Sequence, residues 1–158
     1  MCILDEGTFN TAIDISLKFA PRLILYVSWA KGASIQDLPK IVKNLLNMRL
    51  LPSSTGKNLS TCEASMENGP AHLLVIPQAA LTSKLQRGKN IEYHAQLTKD
   101  DGAEGIYDEF IRLLHEQSRE ITAALPSSDG VIIQHGTFGN RQALLFESEG
   151  PFTHMFEM

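Results

Sequence analysis

The sequence has few cysteines, a small net charge and no long hydrophobic run. Its two cysteines, Cys2 and Cys62, are far apart and outside any Cys-x-x-Cys or Cys/His spacing, so neither a disulfide framework nor structural zinc is expected. No stretch approaches the roughly eighteen consecutive apolar residues of a membrane span, and the start, with Asp5 and Glu6, lacks the basic character of a secretion signal. We therefore expect a cytosolic protein with no membrane partner.

An excess of positive charge is also lacking. The formal net charge is −4 and the sequence pI is near 5.7, so the molecule as a whole repels a phosphate backbone. Any contact with nucleic acid must therefore be local. The composition, 43% hydrophobic and 20% charged, is that of a folded globular protein. At 158 residues, one domain spanning 1–158 is the default expectation.

The usual signatures of catalysis are missing too. There is no Gly-x-Ser-x-Gly nucleophile motif, and residues 55–58 lack the first glycine of a phosphate-binding loop. The five histidines show no metal-ligand spacing: His72, His94, His115, His135 and His154. A metal-dependent hydrolase using His94, His135 and His154 remains a minor alternative. The residues themselves predict neither a cofactor nor a metal.

Hydrophobic periodicity predicts strands and helices in mixed order. Alternating or continuous apolar patterns predict strands at 11–19, 23–29, 73–76, 131–135, 143–147 and 152–156. Apolar residues at three- and four-residue steps predict two helices, one around 38–46 and one around 106–121. The order indicates an α+β fold with a mixed, barrel-like β-sheet and two packed helices.

Two local details sharpen this prediction. Because proline is tolerated only in the first turn of a helix, Pro39 favours Asp37 over Ser34 as the N-cap of the first helix. The segment from Pro52 to Pro70 is rich in Ser, Thr, Asn, Gly and Pro, and predicts a loop broken at most by a short strand near Leu59.

Three segments stand out at predicted strand ends. They are Pro77-Gln78-Ala79-Ala80-Leu81, the glycine-spaced Gly136-Thr137-Phe138-Gly139-Asn140-Arg141-Gln142, and Gly150-Pro151-Phe152-Thr153-His154. Each has an ordinary structural interpretation: Gly-Pro is common in hairpin turns, and Phe138 alone fits a hydrophobic core. The densest positive stretch, 82–96, also fits a solvated loop.

Taken together, these segments resemble the D-aminoacyl-tRNA deacylase superfamily. Its members carry a Ser-Gln-Phe-Thr-Leu-like segment, then a Gly-x-Phe-Gly segment, then a Gly-Pro dipeptide near the C-terminus. The Pro-Gln opening, the Gly-Asn-Arg-Gln run and the Gly-Pro-Phe-Thr-His ending are most similar to the eukaryotic branch called the second D-aminoacyl-tRNA deacylase, or animal-type tRNA deacylase. The resemblance extends from about Leu23 to the C-terminus.

The resemblance implies a hydrolase that needs no reactive side chain. The substrate would be an aminoacyl ester on the terminal ribose of tRNA, with the 2'-hydroxyl of the RNA assisting hydrolysis. Backbone N–H groups of Gln78, Ala79 and Ala80 would stabilise the oxyanion. Ala80 occupies the position of a threonine once proposed as nucleophile in relatives, so a hydroxyl at this position would not be required.

The same resemblance implies the binding residues and the assembly. The aminoacyl and adenosine pockets would be lined by Pro77, Leu81, Phe138, Gln142, Gly150, Pro151, Phe152 and Thr153. Contacts to the acceptor stem would come from Lys84, Arg87 and Lys89. The partner subunit of a homodimer would insert the Gly-Pro peptide for selection of chirality.

Within the family the Gly-Pro peptide takes two forms, cis in the main branch and trans in the animal-type branch. The Phe-Thr-His context after Pro151 favours the trans form, which enlarges the pocket enough to admit L-alanine on a non-cognate tRNA. The alternative function is a catalytically inactive tRNA-binding homodimer of the same fold.

Overall fold

The structure is a computed structural model of the chain. It describes residues 2–5, 8–9, 22–67, 69–88, 90–93, 95–141, 143–144, 146–147 and 152–158. Side chains are described from residue 22 onward, except those of 146–147. The predicted strand at 11–19 lies outside the described residues.

The described chain forms eleven strands. Their bounds are β1 Cys2–Asp5, β2 Thr8–Phe9, β3 Arg22–Val27, β4 Leu51–Pro52, β5 Asn58–Leu59, β6 Ala71–Pro77, β7 Lys84–Leu85, β8 Ile91–Glu92, β9 Val131–His135, β10 Phe146–Glu147 and β11 Thr153–Phe156. Five of them make one sheet in the order β11-β1-β3-β6-β9, and the others pair two by two.

The main sheet is mixed, as the sequence predicts. β3, β6 and β9 run parallel, while β1 is antiparallel to both β3 and β11. Parallel neighbours need a long crossover, which the helices supply. The continuous apolar run beginning at Leu23 forms the central strand β3, where Leu23, Ile24 and Leu25 are all buried. Among the described strands the sheet is open, with β11 and β9 at its edges, so a closed barrel is not confirmed.

Helices α1 (Leu38–Asn47) and α3 (Ala103–Ala123) pack on each other and against one face of the sheet. Their apolar stripes join the strands in one core, which includes Val42, Leu46, Phe110 and Leu114. Asp37 is the N-cap of α1, as predicted, but its side chain makes no capping hydrogen bond. Ser34 instead caps a preceding 3-10 turn, where its Oγ accepts from the N–H of Gln36 at 3.2 Å.

The prediction that 52–70 is a loop is wrong at one place, because a short helix α2 spans Thr61–Ala64. It begins with a capping box: the Ser60 hydroxyl accepts from the Glu63 N–H at 3.2 Å, and the Glu63 carboxylate accepts from the Ser60 N–H at 2.9 Å. The Ser-x-x-Glu spacing is a known helix-start signature. The described chain therefore contains three α-helices rather than two.

Among the described residues, none of the helices combines the length and the apolarity required to traverse a lipid bilayer.

Candidate active site

A cavity of about 420 Å³ opens where the parallel strands β3 and β6 end. In sheets with parallel strands, ligands bind outside the carboxyl ends of those strands. Four stretches of chain meet at this cavity, and its lining comprises Val27, Ser28, Trp29, Pro77, Gln78, Ala79, Gln96, Leu97, Lys99, Phe138, Gly139, Asn140 and Arg141. The structure therefore brings the first two sequence motifs together.

The turn that follows β6 carries backbone donors to the cavity wall. The N–H of Gln78 is already used, since it donates to the carbonyl of Val27 at 2.8 Å. The N–H of Ala80 donates to the Gln78 side chain across a long 3.4 Å. In the described part of the chain, the N–H of Ala79 donates to no acceptor. Ala79 and Ala80 are thus the positions of this turn with backbone donors that a ligand could use.

The carbonyls of this turn are held from the opposite side. The Ala79 carbonyl accepts from the Thr82 hydroxyl at 3.2 Å, and the Gln78 carbonyl accepts from the Leu81 N–H at 3.3 Å. Ser28 Oγ lies 3.4 Å from Thr82 Oγ1, and both residues are buried. Because a trans peptide points its N–H away from its C=O, fixing the carbonyls fixes the direction of the Ala79 and Ala80 N–H groups.

The second motif is held in place by α3. The buried Tyr107 hydroxyl donates to the Gly136 carbonyl at 2.8 Å, and its ring lies 5.7 Å from the Phe138 ring. Burial raises the pKa of Tyr107, so its hydroxyl stays a donor at neutral pH. The Gly136 N–H donates to the carbonyl of Val75 at 2.8 Å and anchors the same segment to β6. These contacts fix the half-buried Phe138 in the cavity wall.

The predicted catalytic and substrate-binding residues divide into four groups. Pro77, Gln78, Ala79 and Phe138 line the cavity. Ala80 and Leu81 lie on the same turn but are outside the lining. Phe152 and Thr153 are described but do not line this cavity. Gln142, Gly150 and Pro151 lie outside the described residues, and so does the peptide bond predicted to be trans between Gly150 and Pro151.

The predicted acceptor-stem contacts lie on an exposed hairpin next to the site. Strands β7 and β8 pair Lys84 with Glu92 and Leu85 with Ile91, and Arg87 lies in the connecting turn. Lys84 and Arg87 are exposed and do not line the cavity. Lys89 lies outside the described residues.

Sequence reasoning missed the two cations that do line the cavity, Lys99 and Arg141. Lys99 lies in a tight turn that precedes α3, closed by Asp101, whose carboxylate accepts from the N–H and the hydroxyl of Thr98 at 2.9 and 2.7 Å. Both hydrogen bonds lower the pKa of Asp101, and the bond from the backbone N–H of Thr98 has the larger effect. The Thr-x-x-Asp spacing before a helix marks this turn in the sequence, but nothing local to Lys99 predicts its position at the cavity.

The chemistry of the lining is polar but poor in nucleophiles. Its described residues include no histidine, cysteine or carboxylate, and its one hydroxyl belongs to the buried Ser28. In the part of the chain that the structure describes, no group of three His, Cys, Asp or Glu residues could hold a metal ion. What these residues offer is backbone N–H dipoles, an arrangement that suits a reaction in which the substrate provides the reacting group.

A second cavity, of about 560 Å³, adjoins the first and shares Val27, Ser28 and Trp29 with it. It lies between the start of α1 and the end of the chain, from Phe156 to Met158. None of the predicted site residues lines it, so we assign the chemistry to the smaller cavity.

Comparison with known proteins gives consistent matches over most of the chain. A model of the family described as D-Tyr-tRNA(Tyr) deacylase matches residues 7–157. D-aminoacyl-tRNA deacylase 2 of Homo sapiens is 38% identical over 136 residues, which cover 85% of this chain and 75% of the human protein. The protein of the same name from Gallus gallus is 37% identical over 137 residues, with the same coverage. Putative D-tyrosyl-tRNA(Tyr) deacylase 2 of Leishmania major is 33% identical over 155 residues, covering 85% of this chain and 84% of its own length.

Solved structures share the fold. A probable eukaryotic D-amino acid tRNA deacylase superposes with a TM-score of 0.69 at 23% identity, over the full length of both chains. The c-Myc DNA Unwinding Element Binding Protein superposes with a TM-score of 0.71 at 19% identity, over 100% of this chain and 99% of that one.

Proposed function

Because the chain belongs to the D-Tyr-tRNA(Tyr) deacylase family, and so is a hydrolase of the aminoacyl-tRNA ester bond, we propose that it removes wrongly attached amino acids from tRNA as a step of translation quality control. D-aminoacyl-tRNA is the proposed substrate, with L-alanyl-tRNA(Thr) as a second one. The observation that carries the proposal is the convergence of the Gln78 turn and the Phe138 segment on one cavity. A substrate of this kind also makes the cytoplasm the proposed location.

The proposed mechanism uses two backbone donors of the Gln78 turn. The N–H groups of Ala79 and Ala80 would donate to the oxyanion that forms when the ester carbonyl is attacked. Gln78 would then act through its side chain, whose amide oxygen holds the Ala80 N–H until the substrate displaces it. The Gln78 N–H itself belongs to the sheet, since it is bonded to Val27.

The attacking group would be activated by the RNA rather than by the protein. A terminal ribose with a free 2'-hydroxyl next to the ester can assist its own hydrolysis once the ester is held in place. The poverty of nucleophiles in the cavity lining supports this division of labour, as does Ala80, which offers no hydroxyl. Phe138 would stack against the terminal base or the aminoacyl group, a contact worth about 1–3 kcal/mol.

We include a homodimer in the proposal, with Gly150, Pro151, Phe152 and Thr153 reaching the cavity of the partner subunit. Support comes from the edge strand β11 and the residue before it, where Phe152 is 61% exposed and Met155 is 65% exposed. Large apolar side chains at an exposed sheet edge favour association with another chain. Sedimentation of the wild type and of Phe152→Glu would test this directly, since the substitution should shift the protein towards monomer.

For tRNA binding, we propose that Lys84, Arg87 and Lys89 contact the acceptor stem. Lys84 and Arg87 are exposed on the hairpin beside the cavity, where they offer local positive charge on an acidic protein. Replacing both by Gln should weaken tRNA binding and reduce its salt dependence.

The deciding experiment is a deacylation assay with purified protein. D-Tyr-tRNA and L-Ala-tRNA(Thr) are incubated with the protein, and the rate at which the amino acid is released is measured. This rate is compared with the rate of spontaneous hydrolysis and with the rate of release from L-Tyr-tRNA(Tyr). We expect release of D-Tyr well above the spontaneous rate and none of L-Tyr. Binding of tRNA without release from any charged form would instead support the inactive tRNA-binding protein.

A further inference from the structure

Two positive side chains to which the sequence assigned no role, Lys99 and Arg141, line the cavity, and the end of the Lys99 side chain passes over Gly139. We propose that Lys99, assisted by Arg141, forms an anion site for the phosphodiester on the 5' side of the substrate's terminal nucleotide. This inference rests on the proposed function, because it assumes that the cavity receives the 3' end of an RNA.

The first support is the fixed position of the Lys99 backbone. The turn is closed by the Asp101 carboxylate on Thr98 and by the Gly102 N–H, which donates to the Lys99 carbonyl at 3.0 Å. The Ala103 N–H adds a bond of 3.1 Å to the Thr98 carbonyl. A side chain that projects from a closed turn loses less conformational entropy when it binds a ligand. The negative charge of Asp101 is directed into the turn.

The second support is the close approach of Lys99 to Gly139. A Cβ at position 139 would lie only 2.5 Å from Lys99 Cε and 2.9 Å from Lys99 Nζ. The end of the lysine side chain therefore crosses the glycine of the second motif, where no other residue leaves room for it. Gly139 also has a φ of +75°, a conformation that suits glycine.

The third support is that the ammonium group of Lys99 is available. Its one ion pair among the described residues is to Glu104, at 3.9 Å, with the two side chains 56% and 51% exposed. A pair this long and this exposed contributes little, so a phosphate can displace it. Arg141 takes part in none of the ion pairs within the described residues, and it too is exposed at the cavity.

The chemistry of the substrate matches this arrangement. The terminal nucleotide carries its amino acid ester and its 5' phosphodiester on the same ribose. A cavity that holds the ester against Ala79 must therefore face that phosphate nearby. A lysine binds phosphate as a point charge and an arginine as a two-pronged donor. Lys84 and Arg87, which lie outside the cavity, would meet phosphates farther along the acceptor stem.

The test uses two small substrates that differ only in this phosphate, 3'-O-D-tyrosyl adenosine and its 5'-monophosphate. We expect the wild type to hydrolyse the phosphorylated ester with a kcat/KM about fivefold to tenfold higher, the size expected for one partly exposed charge-assisted contact. In Lys99→Met this preference should fall close to one, through KM rather than kcat. A preference that persists in Lys99→Met, or a wild type that does not distinguish the two esters, overturns the proposal.

Matched variants separate the anion site from general damage. Gly139→Ala should reduce the preference, but less than Lys99→Met does, because the new methyl displaces the end of the lysine side chain without removing its charge. Gly56→Ala places the same substitution at a comparable φ of +79° with no atom within 4 Å, and should keep the preference. Lys43→Met removes one positive charge from the exposed side of α1 and should also keep it. Equal effects of Gly139→Ala and Gly56→Ala would count against the Lys99 contact.

A binding measurement distinguishes failure of this inference from failure of the proposed function. Trp29 lines the cavity and is the only tryptophan in the sequence, so its fluorescence can report ligand binding there. Titration with 5'-AMP and with adenosine should give tighter binding of 5'-AMP to the wild type but not to Lys99→Met. This result without any deacylation would support the anion site and refute the hydrolase. Deacylation by a protein that does not bind 5'-AMP, or that binds it no more tightly than adenosine, would support the proposed function and refute the anion site.

Discussion

The hydroxyl of Thr82 donates a hydrogen bond of 3.2 Å to the carbonyl oxygen of Ala79, and thereby fixes the peptide that carries the Ala80 N–H. Ser28, 3.4 Å from the same hydroxyl, helps to hold it. Because the peptide is planar, orienting its carbonyl towards Thr82 orients its N–H in the opposite direction. A buried side chain with no access to the substrate can in this way determine how well the turn stabilises an oxyanion.

Thr82→Val should therefore lower kcat for D-Tyr-tRNA by about tenfold. This is less than the roughly 10²–10³-fold loss on removing an oxyanion donor, because the N–H remains and only its orientation is lost. KM should change little, and Thr82→Ser should restore most of the rate. Single-turnover kinetics provide the measurement.

A suitable control for that variant is Thr122→Val. The Thr122 hydroxyl also donates to a carbonyl, that of Ser118 at 2.8 Å, but within α3 and outside the cavity lining. If both valine variants slow the reaction equally, Thr82 has only a structural role.

A D-Tyr-tRNA that ends in 2'-deoxyadenosine should bind but not be deacylated above its spontaneous rate. The cavity lining offers no histidine, cysteine or carboxylate among its described residues, so none of these residues can take over the role of the missing hydroxyl. Binding is measured by filter retention and turnover by release of the amino acid. Sustained turnover would point to a protein nucleophile, and Ser28→Ala would then be the first variant to examine.

Tyr107→Phe should lower the free energy of unfolding by about 1–2 kcal/mol. The substitution removes the 2.8 Å bond from the Tyr107 hydroxyl to the Gly136 carbonyl and leaves that acceptor only the longer contact of 3.2 Å with Nδ1 of the exposed His135. KM should rise as well, since the Phe138 segment loses an anchor. Urea unfolding gives the free energy, and Tyr93→Phe, at a half-exposed position, is the control that should have almost no effect.

Cys62 should make stability depend on pH in alkaline solution. Burial, with a smaller contribution from the charge of Glu63, raises the pKa of its thiol from an ordinary value of 9.0 to about 11. Between these values the unfolded chain releases a proton that the folded chain keeps, so the free energy of unfolding falls as pH rises. Below pH 9 the contribution of this thiol to the free energy of unfolding does not change with pH.

The measurement is urea unfolding of the wild type and of Cys62→Ala from pH 8 to 11. The wild type should have the higher free energy of unfolding at pH 8, and its advantage over Cys62→Ala should shrink as pH rises from 9 to 11. Other titrating groups affect both proteins alike and cancel in this comparison. A difference that stays constant would show that the thiol titrates alike in both states.

Much of the fold could be predicted because its signals are local. The apolar run from Leu23 gave the central strand β3, the spacing around Val42 and Phe110 gave α1 and α3, and the pattern from Val131 to His135 gave β9 with its bounds. The short helix α2 was missed although Ser60 and Glu63 carry a capping box, because the polar composition around it is typical of loops.

The site was predictable only in part. The motif at Pro77–Leu81 lies on a turn that lines the cavity, but the sequence could not show that the Gln78 N–H is taken by Val27. That bond depends on which strand lies beside β6, and strand order is not a local property. For the same reason Tyr107 and Lys99 carried no visible signal, since each gains its role from a contact with a distant segment.

What the sequence determines by itself is the two long helices, the buried strands and a motif without a reactive side chain, since periodicity, caps and motif spacing act over a few neighbouring residues. The tertiary structure decides which donors of the Gln78 turn remain free and which cation crosses Gly139. Those properties arise only when the parallel strands β3 and β6 end side by side and four segments that lie far apart along the chain meet there.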